Sequence, residues 1–460
     1  YYSFKNHHQI SQMKFKNKAS GHKKAYRHRF TLLLLSVLIS VVGTQMTDFA
    51  LGVWLYESTK SAMLFSLLSF ATIAPMTLCS PLIGILVDRF NHRNLMIAGH
   101  LGAGIGSLLM AGLYYYGLLQ PWCLILLSAI SSCFLGVLFP SFNASLIHLV
   151  PQEQLTRAQG LLNGAASLIQ ISAPPLAGIL YAQLGLVVIL AVDFISFTIA
   201  IALLCLITLE RRSQEDSSLG VTTSVIDNSR LAWRYLINKP GLLPLFGLMA
   251  VVNYCFGMVI TSITPLVLSF GGSQTLGFVL SCAGLGTLLG SLFILRYATT
   301  QRAVPWILRF TLLYASALFF LGFENSIAFM MPISCLIGFG TAVSMTCYQS
   351  LLLRKIHPDI QGRVLGLSEV IVGGTFPLGN LVAGSIVDYF EPMMQPGGAL
   401  AGTVGFMIGT GPGRGAGLLI GLAGLLLIVS TLIAMFNPSI KRLEARLPNY
   451  GFTNEQKEDY

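Results

Sequence analysis

The chain has 460 residues, of which 54% are hydrophobic and only 10% are charged, and its formal net charge is +10. A water-soluble domain usually carries about 25% charged residues, so this composition excludes an ordinary soluble domain and places much of the surface in lipid. The eight cysteines all lie in apolar stretches without a C-x-x-C pair, which argues against a disulfide framework and against a metal site.

The first thirty residues carry eight Lys or Arg residues and no acid, directly before the first apolar run. A basic arm could bind nucleic acid, but this position favours a topology signal that also attracts anionic lipid headgroups. The tail and the run after it are too long for a cleavable signal peptide. The chain begins at Tyr1, so a fragment of a longer protein stays open as an interpretation.

Twelve apolar runs follow, and each is long enough to cross a bilayer as a helix, which takes about 20 residues. Their predicted limits are 30–56, 62–87, 94–117, 121–147, 158–182, 186–209, 242–268, 274–298, 303–323, 327–350, 363–389 and 415–437. The runs are too long and too continuous for barrel strands. We therefore predict an all-α membrane protein with twelve spans, numbered here in chain order.

A polar stretch separates the first six spans from the last six. The predicted parts are a basic tail (1–29), a six-helix bundle (30–209), a linker (210–241), a second six-helix bundle (242–437) and a C-terminal tail (438–460). Placing both termini on one side puts all 28 Lys and Arg residues except Lys60 and Arg414 on that side. The positive-inside rule therefore predicts that both termini are cytoplasmic.

Short sequences recur 206 residues apart. Arg157-Ala-Gln-Gly160-Leu161 returns as Arg363-Val-Leu-Gly366-Leu367, Ala177-Gly178 returns as Ala383-Gly384, and Gly84 falls on Gly290. This recurrence predicts two pseudo-symmetric copies of one membrane unit. Secondary transporters use such duplicated bundles to open a central site to alternate sides of the membrane.

The segment Gly84-Ile-Leu-Val-Asp88-Arg89-Phe-Asn-His-Arg93 lies between spans 2 and 3. Glycine permits close approach of another helix, and an acid can cap a helix N-terminus, where the dipole favours negative charge. The arginines can pair with that acid and with lipid phosphates.

This segment resembles the signature G-x-x-x-D-[RK]-x-x-x-[RK] of the major facilitator superfamily, and the resemblance extends over about residues 30–440. It implies that Asp88 contacts the start of span 11 and fastens a cytoplasmic gate. The alternative is that these charges only fix the topology. In the second half Ile294 stands where the acid would be, so this latch is predicted to be one-sided.

Span 5 contains Ala173-Pro174-Pro175-Leu176-Ala177-Gly178. Two prolines remove backbone donors and bend a helix. The segment resembles a degraded G-P-x-x-G-G motif of exporters in the superfamily, which favours export, with a purely structural kink as the alternative. The sequence around spans 1, 5 and 11 resembles that of the enterobactin exporters and macrolide efflux proteins. The arginine that many drug exporters carry inside span 4 is absent.

Three acids lie well inside apolar spans: Asp48, Asp193 and Glu369. An Asp at the centre of a span costs about 2.5–3.5 kcal/mol, so each acid needs a partner, a cavity or a proton. Because span 1 lines the central cavity in the superfamily, Asp48 is the first predicted site of proton coupling, with Thr44 and Gln45 one turn before it. Glu369 is the second, or else a partner for an arginine. For Asp193 a structural hydrogen bond is favoured.

Small and polar residues follow one helix face in spans 4, 7 and 10 at a spacing of three or four residues. Such stripes either line a cavity or form helix-packing seams; we predict a substrate cavity. Its residues, besides Thr44 and Gln45, are Ser128, Ser132, Asn253, Thr261, Thr264, Thr341, Met345 and Tyr348. Without an arginine cluster, this cavity suits an amphipathic solute that is neutral or cationic.

We therefore predict a monomeric secondary transporter of the cell membrane, and not an enzyme. It would export a drug, siderophore or peptide-like metabolite in exchange for protons, with lipid as a partner and without a cofactor, metal or nucleic acid. The alternatives are a lysophospholipid flippase or a facilitated-uptake carrier of the same fold, or a non-transporting membrane domain of a larger biosynthetic protein.

Overall fold

The computed structural model describes residues 2–150, 152–207, 225–297, 303–323 and 326–447, and these residues form helices and their connections without a strand. The helices before residue 240 are α1 (Tyr2–Thr59), α2 (Ala62–Leu78), α3 (Ser80–Arg89), α4 (His92–Tyr115), α5 (Pro121–Leu135), α6 (Leu138–Leu149), α7 (Gln152–Leu184), α8 (Leu186–Cys205) and α9 (Val225–Asn238). Those after it are α10 (Leu242–Leu268), α11 (Ser273–Tyr297), α12 (Ala303–Phe323), α13 (Ile327–Lys355), α14 (Pro358–Ser368), α15 (Thr375–Met393), α16 (Val404–Ile408), α17 (Arg414–Phe436), α18 (Pro438–Lys441) and α19 (Leu443–Arg446). A π-helical turn, Glu369–Gly373, joins α14 to α15.

Eleven helical segments of the described chain are long and apolar enough to cross a membrane, and they correspond to eleven of the twelve predicted spans. The remaining one, span 2, is interrupted at Cys79, so that it consists of α2 followed by α3. Pro81 has no N–H to donate to the Thr77 carbonyl, which explains an interruption at this point. Pro140 acts in the same way on the Gly136 carbonyl, where α5 gives way to α6. The predicted all-α membrane fold is confirmed.

The described chain is organised as two compact units. Unit 1 comprises Tyr1–Thr47, Ala74–Ile169 and Val187–Gln214, and unit 2 comprises Asp48–Ile73, Gln170–Leu186 and Glu215–Tyr460. Unit 2 thus contains one end of spans 1, 2 and 5 in addition to the C-terminal helices. The limits of these compact units differ from those of the two six-helix bundles predicted from the sequence. The division into two bundles related by a sequence repeat stays a prediction.

Each unit has its own apolar core. In unit 1 the core is built from α1, α4, α6, α7 and α8, with Leu33, Phe142 and Leu204 fully buried in it. In unit 2 it is built mainly from α10, α12, α13 and α17, with Phe246 and Tyr314 at its centre. Glycine lets the helices of unit 2 approach closely: a Cβ on Gly338 would collide with the carbonyl oxygen of Ala283 on α11.

Two polar contacts fix the ends of unit 2. The Glu391 carboxylate accepts hydrogen bonds from the backbone N–H groups of Gly413 (2.5 Å) and Gly415 (3.0 Å) at the start of α17. An acid is favourable there because the first N–H groups of a helix have no intrahelical partner. At the C-terminal end, the buried Lys355 ammonium donates to the carbonyl oxygens of Glu444 (2.7 Å) and Leu447 (2.6 Å). The C-terminal segment is therefore packed as far as Leu447.

Candidate functional site

Span 1 presents Gln45 and Asp48 on one exposed face, and Thr44 beside them is half-buried. The neighbouring Met46 and Thr47 are buried on the opposite face. A carboxyl group in the middle of a 31-residue apolar segment is thus accessible rather than sealed in packing. This exposure is what a site that takes up and releases a proton requires.

The two serines predicted on span 4 are buried. Ser132 donates a hydrogen bond to the Ala129 carbonyl oxygen of its own helix (3.0 Å), and Ser128 lies one turn away. On the same helix Ser131 packs against Gly106 of α4 so closely that a Cβ on the glycine would overlap it. This burial favours a packing role over the predicted contact with a substrate.

The stripe on span 7 is mainly a packing seam against α15. The Thr261 hydroxyl donates to the Asn380 side-chain oxygen (3.3 Å), and both residues are fully buried. Gly257 on the same face lies directly against the Phe376 carbonyl oxygen. Thr264 is buried as well, whereas Asn253 is half-exposed. Of this stripe, Asn253 alone keeps the accessible surface that a substrate contact needs.

The stripe on span 10 is divided in the same way. Thr341 and Met345 are half-exposed. Tyr348 is buried, its ring lies edge-on to Phe246 (5.9 Å between centroids), and its hydroxyl is 2.9 Å from that of Ser368. Tyr348 therefore fixes the residue that precedes the π-helical turn instead of facing a cavity.

Glu369 is the first residue of that π-helical turn and is exposed. The turn is closed by a hydrogen bond from the Gly374 N–H to the Glu369 carbonyl oxygen (3.0 Å). Pro377 has no N–H for the Gly373 carbonyl, which loosens the helix at the same place. Single π-helical turns inside α-helices occur frequently at functional sites, and here the turn places an acid on the surface of span 11.

The motif between spans 2 and 3 is only partly described. The Asp88 side chain lies outside the described part, and its contact with the start of span 11 stays a prediction. Arg89 is exposed. The Arg93 guanidinium donates to the Cys205 carbonyl oxygen (3.1 Å) at the end of α8, and its pairing with Asp88 or lipid stays a prediction. No described atom lies within 4 Å of the position that a Cβ on Gly84 would take, and the predicted close approach of another helix stays a prediction.

The prolines of span 5 lie inside the continuous helix α7. Pro175 cannot donate to the Ile171 carbonyl oxygen, and the Ser281 hydroxyl of α11 donates to it instead (2.7 Å). Seven residues further on, the Ser273 hydroxyl donates to the Gly178 carbonyl oxygen (3.1 Å). The neighbouring helix thus supplies the donor that proline removed.

In unit 2, helices α2 and α15 are joined through an acid, Asp388, that the sequence analysis did not single out. The Asp388 carboxylate of α15 accepts hydrogen bonds from the backbone N–H groups of Ala62 (2.8 Å) and Met63 (2.9 Å) and from the Ser61 hydroxyl (2.9 Å). We call these contacts the outer latch. The available signal was an acid at the end of span 11 and Ser61-Ala62 at the start of span 2, but sequence alone does not show that they meet.

Asp193 in unit 1 is buried and accepts a hydrogen bond from the Ser107 hydroxyl (2.6 Å). The structural role favoured for it is therefore supported.

In unit 2 a pocket of about 300 Å³ lies between α2 and α15. Its lining residues are Met63, Leu67, Leu381, Val382, Ser385 and Ile386. The pocket includes none of the predicted substrate residues. Within the described chain, no three His, Cys, Asp or Glu residues are grouped as a metal site.

Helices of bilayer length define an integral membrane protein, and acids inside two of them mark candidate functional sites. The sequence profile of the Major Facilitator Superfamily matches residues 33–380, and the chain belongs to this family. It is a transporter and not an enzyme.

Several known proteins are similar along most of their length. Macrolide efflux protein A of Streptococcus pyogenes is 24% identical over 79% of this chain and 90% of its own. Multidrug efflux pump Tap of Mycobacterium bovis is 22% identical over 78% and 86%. Two solved structures have the same fold. An auto-inhibited POT family peptide transporter has a TM-score of 0.65 and 12% identity, with 92% of this chain and 98% of its own chain covered. A bacterial homologue of the iron transporter ferroportin in an inward-facing state has a TM-score of 0.61 and 18% identity, with 89% of this chain and 99% of its own chain covered.

Proposed function

We propose that this transporter exports an amphipathic small molecule that is neutral or cationic, and that inward movement of protons drives the export. The observation that carries the proposal is the accessible Asp48 carboxyl in the middle of an apolar span. One charge that crosses about 100 mV releases about 2.3 kcal/mol, which is sufficient to bias two conformers separated by a few kcal/mol. The similarity to a macrolide and a multidrug efflux protein, over 79% and 78% of this chain, supports export over uptake.

In this proposal Asp48 and Glu369 exchange the proton, because both acids lie in spans and are exposed. The substrate contacts are the predicted polar residues that keep accessible surface: Thr44, Gln45, Asn253, Thr341 and Met345. Substrate and protons bind in turn and not together. Each has a higher affinity for one of the two conformers, and the conformer favoured by protons is the opposite of the one favoured by substrate.

We further propose a monomer in the cell membrane with both termini in the cytoplasm, following the positive-inside rule. Anionic lipid would then face the linker helix α9. Trp233 and Ile237 are exposed on this helix, and the exposed Arg230 and Arg234 lie on the adjoining face. An apolar strip beside a basic strip is typical of a helix that lies in the headgroup region.

Asp48→Asn tests the coupling. Inside-out vesicles with an acidic lumen should accumulate a macrolide antibiotic, and an uncoupler should abolish the accumulation. The variant should lose gradient-driven uptake into the vesicles while it keeps exchange of labelled for unlabelled macrolide, because exchange needs no net proton movement. Glu369→Gln is measured in parallel.

Asp193→Asn is the matched control, since this acid lies in a span but is buried against Ser107. It should retain gradient-driven accumulation. Undiminished accumulation in both Asp48→Asn and Glu369→Gln would reject the coupling sites. Macrolide uptake that stops at equal concentrations and does not respond to the uncoupler would favour facilitated transport. Movement of a lysophospholipid instead of the macrolide would favour a flippase.

A further inference from the structure

We propose that Asp388 is a gating residue: it supplies a helix cap from span 11 to span 2 and fastens the extracellular ends of these helices in one half of the transport cycle. The inference rests on the proposed alternating-access transport and orientation. The latch predicted from the sequence is the cytoplasmic one at Asp88. The outer latch is a second one, at the opposite end of the same pair of spans.

Every N–H group of the first turn of α2 has a partner. Ala62 and Met63 donate to Asp388, Leu64 donates to the Ser61 hydroxyl (3.3 Å), and Phe65 donates to the Ser61 carbonyl oxygen (3.4 Å). The first N–H groups of a helix normally need a cap from a residue next to them in sequence. Here two of them depend on a carboxylate that lies more than three hundred residues away in the chain. Separation of the two helices therefore uncaps α2.

The surrounding backbone brings the carboxylate to its place. Lys60 adopts a left-handed conformation (φ 52°), which ends α1 and allows α2 to begin two residues later. One turn of α15 before Asp388, Gly384 lies directly against Ala62 and Ser66, where a side chain would overlap. The Ser66 hydroxyl also donates to the Asn380 carbonyl oxygen. The latch is thus the polar end of a close helix contact.

The repeat shows why this latch belongs to one helix pair only. A shift of 206 residues places Gly384 on Gly178, and both glycines lie against the first residue of a following helix: Gly384 against Ala62 and Gly178 against Ser273. The same shift places Asp388 on Ala182, so the pair formed by spans 5 and 8 has the glycine contact without the acid. At the predicted cytoplasmic end the acid of span 2 is Asp88, and its repeat position is Ile294.

Spans 2 and 11 therefore each carry an acid near one end: Asp388 of span 11 is directed at the start of α2, and Asp88 of span 2 is predicted to meet the start of span 11. Only one end can be fastened at a time in an alternating cycle. The described hydrogen bonds between spans 5 and 8 come from neutral groups, Ser273 and Ser281. These spans can therefore separate at this end without removing an acidic helix cap. Charge control of the cycle is thus concentrated in one of two symmetry-related pairs.

Asp388→Asn and Asp388→Ala test the latch. Spin labels on encoded unnatural amino acids at the exposed positions Tyr116 and Phe406 would report the distance across the predicted extracellular side. Both variants should raise the ratio of long to short distances about five- to tenfold, the effect of losing one good helix cap. Asp388→Glu should restore the wild-type ratio, and Ser61→Ala should raise it by less.

Glu391→Gln is the matched control. Glu391 also caps a helix start with two backbone bonds, but its partners Gly413 and Gly415 lie in the same C-terminal part of the chain. Its loss should leave the distance ratio unchanged. Equal ratios in wild type, Asp388→Asn and Asp388→Ala, or an equal shift in Glu391→Gln, would overturn the latch. These distances need neither substrate nor gradient, so loss of vesicle transport with an intact Asp388 effect would reject the proposed function alone.

Discussion

The contact between Gly178 and Ser273 gives a prediction whose size follows from the structure. A Cβ added to Gly178 would lie 2.5 Å from the Ser273 carbonyl oxygen, whereas ordinary contact begins at 3.4 Å. The Gly178→Ala variant must therefore move span 5 from the start of α11 by about 0.9 Å. The hydrogen bond from the Ser273 hydroxyl to the Gly178 carbonyl oxygen, at 3.1 Å, would then be stretched beyond its normal range.

Overpacking of a close contact costs about 1–3 kcal/mol, and a lost neutral hydrogen bond costs about 1 kcal/mol more. A free-energy cost of about 2 kcal/mol in the state in which spans 5 and 8 touch lowers the population of that state, relative to the separated state, about 30-fold. The label pair at Tyr116 and Phe406 would measure this ratio. The melting temperature of the purified protein should also fall.

Gly164→Ala is the control for this experiment, because Gly164 lies on the same helix and no described atom is within 4 Å of its Cβ position. Both substitutions gain the same helix propensity, about 1 kcal/mol. The difference between them therefore isolates the interhelical contact. Equal melting temperatures and equal distance ratios for the two variants would refute the reasoning.

Two further predictions concern stability. Ser281→Ala should lower the free energy of unfolding by about 1–3 kcal/mol, since it leaves the Ile171 carbonyl oxygen without its donor. In a Pro175→Ala background this cost should be smaller, because alanine restores the backbone N–H that can donate to Ile171. Additive effects of the two substitutions in the double-mutant cycle would contradict this prediction. Lys355→Met should release the C-terminal segment and speed its cleavage by protease, because the buried ammonium holds two of its carbonyl oxygens, whereas Arg354→Met should leave the cleavage rate unchanged.

The membrane class and most of the span limits followed from the sequence, because the length of an apolar run is set by the thickness of the bilayer and not by its neighbours. Span 7 was predicted at 242–268 and α10 has those limits. The interruption of span 2 was harder to predict. A proline in a span can be accommodated, as at Pro174 and Pro175, or can divide the helix, as at Pro81, and the outcome depends on donors from other helices.

The polar stripes marked helix faces but did not show what each face meets. Gly, Ser and Thr serve both seams and cavities, so Thr261 and Asn253 have the same pattern in the sequence although Thr261 is buried against Asn380 and Asn253 is half-exposed.

The repeat was visible in the sequence as recurring glycines, and the structure gives two of them, Gly178 and Gly384, the same task at the start of a partner helix. The partnership of Asp388 with Ala62 was decided by tertiary structure alone. Local sequence determines which N–H groups of a helix lack a partner, but a cap supplied from a distant helix depends on how the helices pack.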